Sequence, residues 1–190
     1  MIKTYVIDTN VLIQAPYAIE CFEENNLVLP LVVLEELDGL KKAEGEKGAN
    51  ARAAVRKLES YRQKGDLLQG VKLPGGGILR IEKNFVQVEL PQDIPDDKPD
   101  NRILKVCKGL AETEKEGQVI LVTKDIVLRL KAQILGIRAE DFERERISED
   151  DAQYTGRTEI YFPEEKVKEF KKKGIPLTDA YQSDEIGRAS

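Results

Sequence analysis

The sequence predicts an α/β protein, with a three-layer α/β/α domain built on a mostly parallel central sheet and a small C-terminal appendage. Through residue 139, short runs rich in valine, isoleucine and leucine alternate with longer segments of helical spacing. That order is typical of a parallel sheet with helices on both faces. Beyond residue 139 the chain becomes polar and acidic. We therefore expect one domain over residues 1–139 and an extension or linker over residues 140–190.

The first part of the domain contains the strands that we expect near the centre of the sheet. Residues 3–8 form the first strand, because β-branched apolar side chains suit a buried sheet position. A helix follows over about residues 9–22, with a break or a fresh first turn at Pro16. Residues 27–29 make a short second strand, and the apolar spacing of residues 31–40 predicts a helix.

The middle of the chain predicts a long helix and a hairpin. We expect an exposed loop at residues 41–48 and a helix at residues 49–64 that is capped by Gly65. In residues 66–90, alternating apolar residues continue on both sides of the run Pro-Gly-Gly-Gly at 74–77. This pattern favours two or three strands around a turn over a phosphate-binding loop, which needs a helix directly after its glycines.

The last part of the domain repeats the alternation of helix and strand. After a polar, proline-rich loop, we predict a helix over residues 101–112 with Asp100 as its N-cap. Residues 118–123 form the clearest strand of the chain, and a helix ending at Gly136 follows. Residues 137–139 add an edge strand. The extension then holds one short strand and one helix, predicted at residues 158–162 and 163–173.

Composition excludes several classes of site. The 190 residues include 35 acids, 30 bases and no histidine, for a formal net charge of −5. Without imidazole, the chain has no Ser-His-Asp or Cys-His catalytic site and no histidine-based zinc site. No segment has the length and apolarity of a membrane span, and Asp8 and Asn10 interrupt the first apolar run, unlike a signal peptide. The distant Cys21 and Cys107 favour a reducing compartment, so we expect a cytoplasmic protein.

Four acidic residues lie at element boundaries: Asp8 after the first strand, Glu36 within the helix after the second, and Asp100 and Asp125 at the starts of later helices. Parallel strands end at one edge of the sheet, so Asp8 and Asp125 should share that edge. Each acid alone could be an ordinary helix cap or a solvated residue. Several carboxylates at one edge would raise one another's pKa and favour a cation. Mg²⁺ or Mn²⁺ suits such oxygen ligands.

The same four acids, in the same order, resemble those of the PIN-domain ribonucleases. The matching motifs are Val-Ile-Asp-Thr-Asn at 6–10, Leu-Glu-Glu-Leu at 34–37, Asp-Asn-Arg-Ile-Leu at 100–104 and Val-Thr-Lys-Asp at 122–125. Within that family, the chain is similar to the PIN half of PhoH-like proteins, in which a PIN domain precedes an ATPase. No Gly-x-x-x-x-Gly-Lys-Ser/Thr loop is present in the sequence. A PhoH-type ATPase domain would therefore belong to a longer form.

This resemblance implies a metal-dependent endoribonuclease. Water activated by Mg²⁺ or Mn²⁺ would hydrolyse an RNA phosphodiester bond. Asn10 and Thr123 would orient the carboxylates or the water, with Thr9 as a weaker candidate. Both a toxin and an RNA-processing enzyme fit this activity. The implied metal ligands and catalytic residues are Asp8, Glu36, Asp100 and Asp125.

Two features of this assignment depend on neighbouring residues. Glu35 competes with Glu36, and we favour Glu36 because that register leaves Val33 and Leu37 to face the core together. RNA, which we expect to be single-stranded, would contact bases within residues 39–64, where eight bases accompany three acids. A solvated helix face is the alternative for these bases. They are Lys41, Lys42, Lys47, Arg52 and Arg56.

Other functions fit the sequence less well. A dehalogenase-type phosphatase needs a second aspartate two residues after Asp8, where this chain has Asn10. A receiver domain needs paired acids after the first strand. The strongest alternative is a catalytically silent PIN domain that binds RNA or assembles with a PhoH-type ATPase. Homo-oligomerisation is a further hypothesis, motivated by the resemblance and by the apolar residues Ile160, Tyr161, Phe162, Val167 and Phe170.

Overall fold

A computed structural model describes residues 2–95, 97–113 and 118–142, with a strand pair at residues 160–161 and 181–182. The chain divides into two compact units, residues 1–144 and 145–190. In the first unit, the strands are β1 (Thr4–Ile7), β2 (Asn26–Pro30), β3 (Val71–Lys72), β4 (Ile78–Glu82), β5 (Val119–Val122) and β6 (Arg138–Glu140). Its helices are α1 (Thr9–Gln14), α2 (Leu31–Leu40), α3 (Gly45–Arg62), α4 (Pro99–Thr113) and α5 (Ile126–Ile134), with a 3₁₀ helix at Pro16–Glu20.

The six strands form one sheet in the order β3-β4-β2-β1-β5-β6. Every neighbouring pair is parallel except β3 and β4. β1 lies at the centre, with Tyr5 opposite Leu27 on one side and Ile120 on the other. The apolar residues of β1, β2 and β5 are almost entirely buried, as strands covered on both faces require. The predicted mostly parallel α/β sheet is confirmed.

The order of the strands makes β1 the point where the chain changes direction. From β1 the chain moves to β2 and β4 on one side, and later crosses to β5 and β6 on the other. Because parallel crossovers are right-handed, the two directions place their helices on opposite faces of the sheet. A crevice forms outside the carboxyl ends of the strands at such a switch point, which is where open α/β sheets bind ligands.

Several predicted element boundaries are wrong. α3 begins at Gly45, four residues before its predicted start, and Gln63 rather than Gly65 follows its last turn. The loop between α2 and α3 is shorter than expected, and its residue Ala43 packs closely on Gly48 of α3. A Cβ at Gly48 would lie 1.8 Å from the carbonyl oxygen of Ala43. Glycines that the sequence presents as loop residues therefore permit this close contact.

The start of α4 also differs from its prediction. The helix begins at Pro99, and Asp100 lies in its first turn rather than at its N-cap. Proline suits the first turn, since its missing N–H would have no helical partner there. In contrast, the fresh turn at Pro16, the hairpin of β3 and β4, and the edge strand β6 are confirmed.

The second unit contains an antiparallel pair, β7 (Ile160–Tyr161) and β8 (Tyr181–Gln182). β7 lies within the strand predicted at residues 158–162, whereas β8 was not predicted. The predicted helix at 163–173 lies outside the described residues, as do Phe162, Val167 and Phe170 of the oligomerisation hypothesis. None of the described helices has the length and apolarity needed to cross a membrane.

Candidate functional site

Asp8 is the central acidic residue of the candidate site. It directly follows β1 at the carboxyl edge of the sheet, with only 2% of its surface exposed. Its backbone N–H continues the sheet by donating to the carbonyl oxygen of Val122 at 3.0 Å. Asp8 occupies the N-cap position of α1, but its side chain caps no helical N–H. Ordinary helix capping therefore does not explain this carboxylate.

Two side chains donate to one oxygen of the Asp8 carboxylate. Thr123 Oγ1 donates to Asp8 Oδ2 at 2.7 Å, and Asn10 Nδ2 reaches the same oxygen at 3.4 Å. Burial raises the pKa of Asp8 above its ordinary value of 3.8. The hydrogen bond from Thr123 opposes that rise, and the charge of Asp100 adds to it. Asn10 and Thr123 thus both contact the carboxylate that the sequence analysis expects them to orient.

Glu36 approaches Asp8 from α2. The hydroxyl of Thr9 donates to Glu36 Oε2, which ties the start of α1 to α2. Burial raises the pKa of Glu36 above 4.5. The bond from Thr9 opposes this rise, the charges of Asp8 and Asp100 add to it, and Lys47 lowers it. The neighbouring Glu35 is exposed.

The register argument for Glu36 agrees with the packing of α2. Val33 and Leu37 are fully buried, so both face the core. Their burial turns Glu36 towards α1 and leaves Glu35 in solvent. The structure therefore favours Glu36 over Glu35 as the acid of this helix that faces the site.

Asp100 reaches the site from the first turn of α4. The next residue, Asn101, is buried and anchors that turn. Its amide group donates to the carbonyl oxygen of Pro95 at 2.6 Å and accepts from Lys131 Nζ at 2.9 Å. The start of α4 is thus tied to the preceding loop and to α5, which fixes where Asp100 lies.

The three acids line one open pocket of about 310 Å³ at the carboxyl edge of the sheet. Lys47 of α3 also lines it. The remaining wall residues are Ile13, Gly39 and Leu40, which no motif of the sequence indicates. Helical spacing contains a usable signal for two of them, because Ile13 lies one turn after Thr9 and Leu40 one turn after Glu36. The complete lining is Asp8, Thr9, Asn10, Ile13, Glu36, Gly39, Leu40, Lys47 and Asp100.

Asp125 lies at the same sheet edge but does not line this pocket. It is the N-cap of α5, where its Oδ1 accepts from the N–H groups of Val127 and Leu128 at 2.7 and 3.1 Å. Its own N–H donates to Thr123 Oγ1 at 3.0 Å. Asp125 is therefore linked to Asp8 through the Thr123 hydroxyl. Three of the four expected acids converge, and the fourth caps a helix beside them.

The five expected RNA-contacting bases divide into two groups. Lys47 lines the pocket, while Lys42 and Arg56 are exposed on the protein surface. Lys41 instead forms an ion pair with Asp38, and Arg52 donates to the carbonyl oxygen of Lys41 at 2.8 Å. The first group can reach an incoming phosphate without breaking a described side-chain bond, whereas the second group stabilises the α2–α3 loop.

The donor set fits a hard divalent cation in its chemistry. The pocket offers three carboxylates. Burial raises the pKa of Asp8 and Glu36, and the neighbouring acidic charges add to that rise, which a cation would oppose. Within the described ranges, no three acidic or cysteine side chains are already arranged as an ion-binding group. Mg²⁺ does not need such a group, because it usually keeps several waters and binds one or two carboxylates together with substrate phosphates.

Comparison with known proteins agrees with this geometry. The model of the PIN domain family matches residues 5–143. The chain belongs to the PIN-domain family. This family has a nuclease-type fold, and its members typically depend on a divalent metal. The resemblance given by the four motifs is therefore confirmed.

Relatives extend the match beyond the PIN domain. The chain is 44% identical over 188 residues to protein PhoH2 of Bacillus subtilis, which covers 96% of this chain and 42% of that protein. It is 38% identical over 160 residues to protein PhoH2 of Thermobispora bispora, covering 83% and 35%. The chain thus spans less than half the length of these relatives. A solved domain of a functionally unknown Methanocaldococcus jannaschii protein aligns over 74% of this chain and 91% of that domain, with TM-score 0.48 and 21% identity.

Proposed function

We propose that this PIN domain is a metal-dependent endoribonuclease. The observation that supports it most is the convergence of Asp8, Glu36 and Asp100 on one open pocket, from the end of β1, from α2 and from α4. Separate elements bring these acids together although burial, and to a smaller extent the neighbouring acidic charges, raises the pKa of Asp8 and Glu36. Such an arrangement costs stability in the free protein, which is typical of sites selected for function.

In this proposal, Asp8, Glu36 and Asp100 hold Mg²⁺ or Mn²⁺. The bound ion would activate water and stabilise charge on the phosphate. Thr123 and Asn10 keep the Asp8 carboxylate oriented through Oδ2, and Thr9 does the same for Glu36. These hydrogen bonds hold both acids in place before substrate arrives, so less reorganisation is needed on binding.

RNA would enter across the open side of the pocket. Lys47 lies beside the acids and would pair with the backbone phosphate nearest the cleaved bond. Lys42 and Arg56, both exposed, would contact flanking phosphates. Contacts of this kind read the backbone and not the base sequence, and they weaken as salt rises.

Cleavage of labelled single-stranded RNA in Mn²⁺ and in EDTA tests the activity. Wild type should cleave in Mn²⁺ alone, and Asp8→Asn and Glu36→Gln should each lower the rate by about 100-fold or more, the scale of losing one electrostatic group of an active site. Glu35→Gln is the matched control, since it makes the same change one residue away on the exposed side of α2. Cleavage that survives both EDTA and Asp8→Asn would exclude this mechanism.

Metal binding can be measured without RNA. Calorimetric titration with Mn²⁺ should give weaker binding for Glu36→Gln and unchanged binding for Glu35→Gln. Asp125 needs a separate variant, because it caps α5. Asp125→Asn keeps the cap, since asparagine caps helices about as well as aspartate, and removes the charge. Weaker Mn²⁺ binding by this variant would support Asp125 as the fourth ligand, and unchanged binding would limit it to capping.

A catalytically silent RNA-binding domain is the second candidate. It is favoured by the lack of a ready-arranged ion-binding group in the described part of the chain. This alternative predicts that wild type binds RNA equally in Mn²⁺ and EDTA and never cleaves it. Fluorescence anisotropy and gel analysis of the same samples would separate the two functions.

We also propose a PhoH-type ATPase domain as a partner in a longer form of the protein. Support comes from the relatives named PhoH2, of which this chain covers 42% and 35%. Cleavage by a longer form should then respond to ATP, whereas cleavage by this chain alone should not. Equal ATP response in both proteins would contradict the proposal.

A further inference from the structure

The helix α5 presents an apolar face to solvent at one end of the sheet. Ile126, Val127, Leu130 and Ile134 are between 55% and 75% exposed. Their spacing of three and four residues places Ile126, Leu130 and Ile134 in one stripe. Other large apolar residues are exposed elsewhere in the described chain, but this helix holds four of them within nine residues. A contiguous patch of this kind marks an interaction surface.

The apolar stripe continues into the edge of the sheet. A groove of about 310 Å³ lies between α5 and β6, and its walls include Ile126, Leu130, Ile137 and Ala139. β6 is the last strand of the sheet, and no described strand pairs with its outer side. An open strand edge offers unpaired N–H and C=O groups to another strand. Strand edge and apolar helix are thus adjacent parts of one surface.

We propose that this surface, formed by α5 and β6, binds the same surface of a second copy of the chain. The hydrogen-bonding directions along β6 support this occupant. Glu140 faces β5, because its carbonyl oxygen accepts from Thr123 N–H at 3.1 Å. Since these directions alternate along a strand, the N–H and C=O of Ala139 point to the open edge. Ala139 can therefore pair with Ala139 of a second copy in an antiparallel arrangement.

The charges beside Ala139 complement themselves in that register. Arg138 and Glu140 lie on one face of β6, where Arg138 Nη2 and Glu140 Oε1 are 2.8 Å apart. Antiparallel pairing about Ala139 sets each Arg138 opposite the Glu140 of the other copy. Opposite charges on directly facing residues stabilise an antiparallel pair. A two-fold axis at Ala139 produces this match twice, because Arg138 of each copy then lies opposite Glu140 of the other.

The same axis brings the two apolar helices together. A two-fold axis between paired edge strands keeps the α5 helices of both copies on one face of the enlarged sheet. Their stripes then bury against each other, which removes apolar surface from water. The two acidic pockets would lie at opposite ends of the assembly, since the strands of the two copies run in opposite directions.

Sedimentation of the full chain over a wide concentration range tests the proposal. Wild type should form a dimer, and Leu130→Glu should raise its dissociation constant by roughly tenfold or more, because a charge would be buried in the interface. Leu68→Glu is the matched control, since Leu68 and Leu130 are both 55% exposed and Leu68 precedes β3 at the opposite end of the sheet. A monomer at all concentrations, or equal effects of both variants, would overturn the proposal.

The register has its own test by charge exchange and by crosslinking. Arg138→Glu and Glu140→Arg should each weaken the dimer, and the double exchange should restore it. In a Cys21→Ser background, Ala139→Cys should form a disulfide between copies, since paired Cα atoms would lie about 5.5 Å apart. Arg138→Cys should not, because Arg138 faces Glu140. A dimer whose Arg138→Cys variant crosslinks better than Ala139→Cys would exclude this register.

Discussion

The carboxylate of Glu20 and the carboxylates of the acidic pocket have the same chemistry and opposite electrostatic environments. Glu20, at the end of the 3₁₀ helix, is paired with Lys57 Nζ at 2.7 Å and accepts a hydrogen bond from the Tyr61 hydroxyl. Partial burial raises the pKa of Glu20, but the bonds and charge supplied by Lys57 and Tyr61 outweigh it, so the pKa lies below 4.5. Asp8 and Glu36 have raised pKa values instead.

The difference separates a carboxylate paired within the fold from a group of acids that is not. Lys57 and Tyr61 belong to α3, so the Glu20 cluster fastens the 3₁₀ helix to α3 and satisfies its charge within the fold. Among the residues that line the acidic pocket, Lys47 is the single base beside three acids. The pocket therefore retains acidic charge that no neighbouring base offsets in full, whereas Lys57 offsets the charge of Glu20 within the fold.

The largest expected effect is a difference in RNA-cleavage rate between a variant of the acidic pocket and a variant of Glu20. Asp100→Asn should lower Mn²⁺-dependent RNA cleavage by about 100-fold, because it removes one charge from the pocket. Glu20→Gln should leave the rate unchanged when both are measured as initial rates well below the melting temperature. Comparable losses in both variants would show that the pocket has no special role.

The next effect concerns stability. Glu20→Ala leaves the hydroxyl of buried Tyr61 without its acceptor, so the free energy of unfolding should fall by about 1–2 kcal/mol. For a protein of this size, that corresponds to a melting temperature lower by about 2–8 °C. Glu59→Ala, which breaks exposed bonds with Arg62 and Gln63, is the control and should leave the melting temperature unchanged.

A smaller effect of opposite sign is expected in the pocket. Asp8→Asn should raise the free energy of unfolding of the metal-free protein at neutral pH by about 0.5–2 kcal/mol, the usual gain when a site optimised for function is neutralised. Mn²⁺ should then stabilise wild type and not the variant. Calorimetry in EDTA and in Mn²⁺ measures both. Destabilisation by Asp8→Asn in EDTA would contradict the unfavourable charge assigned to this carboxylate.

The smallest effect is a pH dependence. The folded metal-free protein holds the Asp8 and Glu36 protons more tightly than the unfolded chain, because the pKa of each group is raised above its ordinary value of 3.8 or 4.5. The free energy of unfolding therefore falls as pH rises from these ordinary values through the raised ones. Glu20, with a lowered pKa, acts oppositely, and its contribution is lost as pH falls through that lowered value. In urea unfolding with EDTA, the free energy of unfolding of Asp8→Asn should increase relative to that of wild type as pH rises. A constant difference across this range would rule out the linkage.

Much of the fold could be predicted because its signals are local. β1 and β5 are short runs rich in β-branched residues, and β2 is a short apolar run of leucine and valine. The order of strands and helices limits the topology to a parallel sheet. The position of Asp8 follows from that topology, since a residue directly after a central strand lies at the switch point. Glu36 follows from the burial of Val33 and Leu37 on the same helix.

The remaining features depend on contacts between distant parts of the chain. The early start of α3 depends on the approach of Gly48 to Ala43, which no local pattern indicates. Glu20 and Tyr61 are 41 residues apart, so their bond is not visible in sequence spacing. Similarly, an aspartate before a helix can cap it or face a pocket, and only packing distinguishes Asp125 from Asp8.

The hydroxyl of Thr123 gives the hydrogen bonds beside Asp8 a fixed direction. A backbone amide can only donate, so the N–H of Asp125 occupies a lone pair of Thr123 Oγ1 and leaves its one proton for Asp8 Oδ2. Asn10 Nδ2 is also directed at Oδ2, so that oxygen faces two donors. This favours Oδ1 as the atom that takes up a proton or an arriving ion.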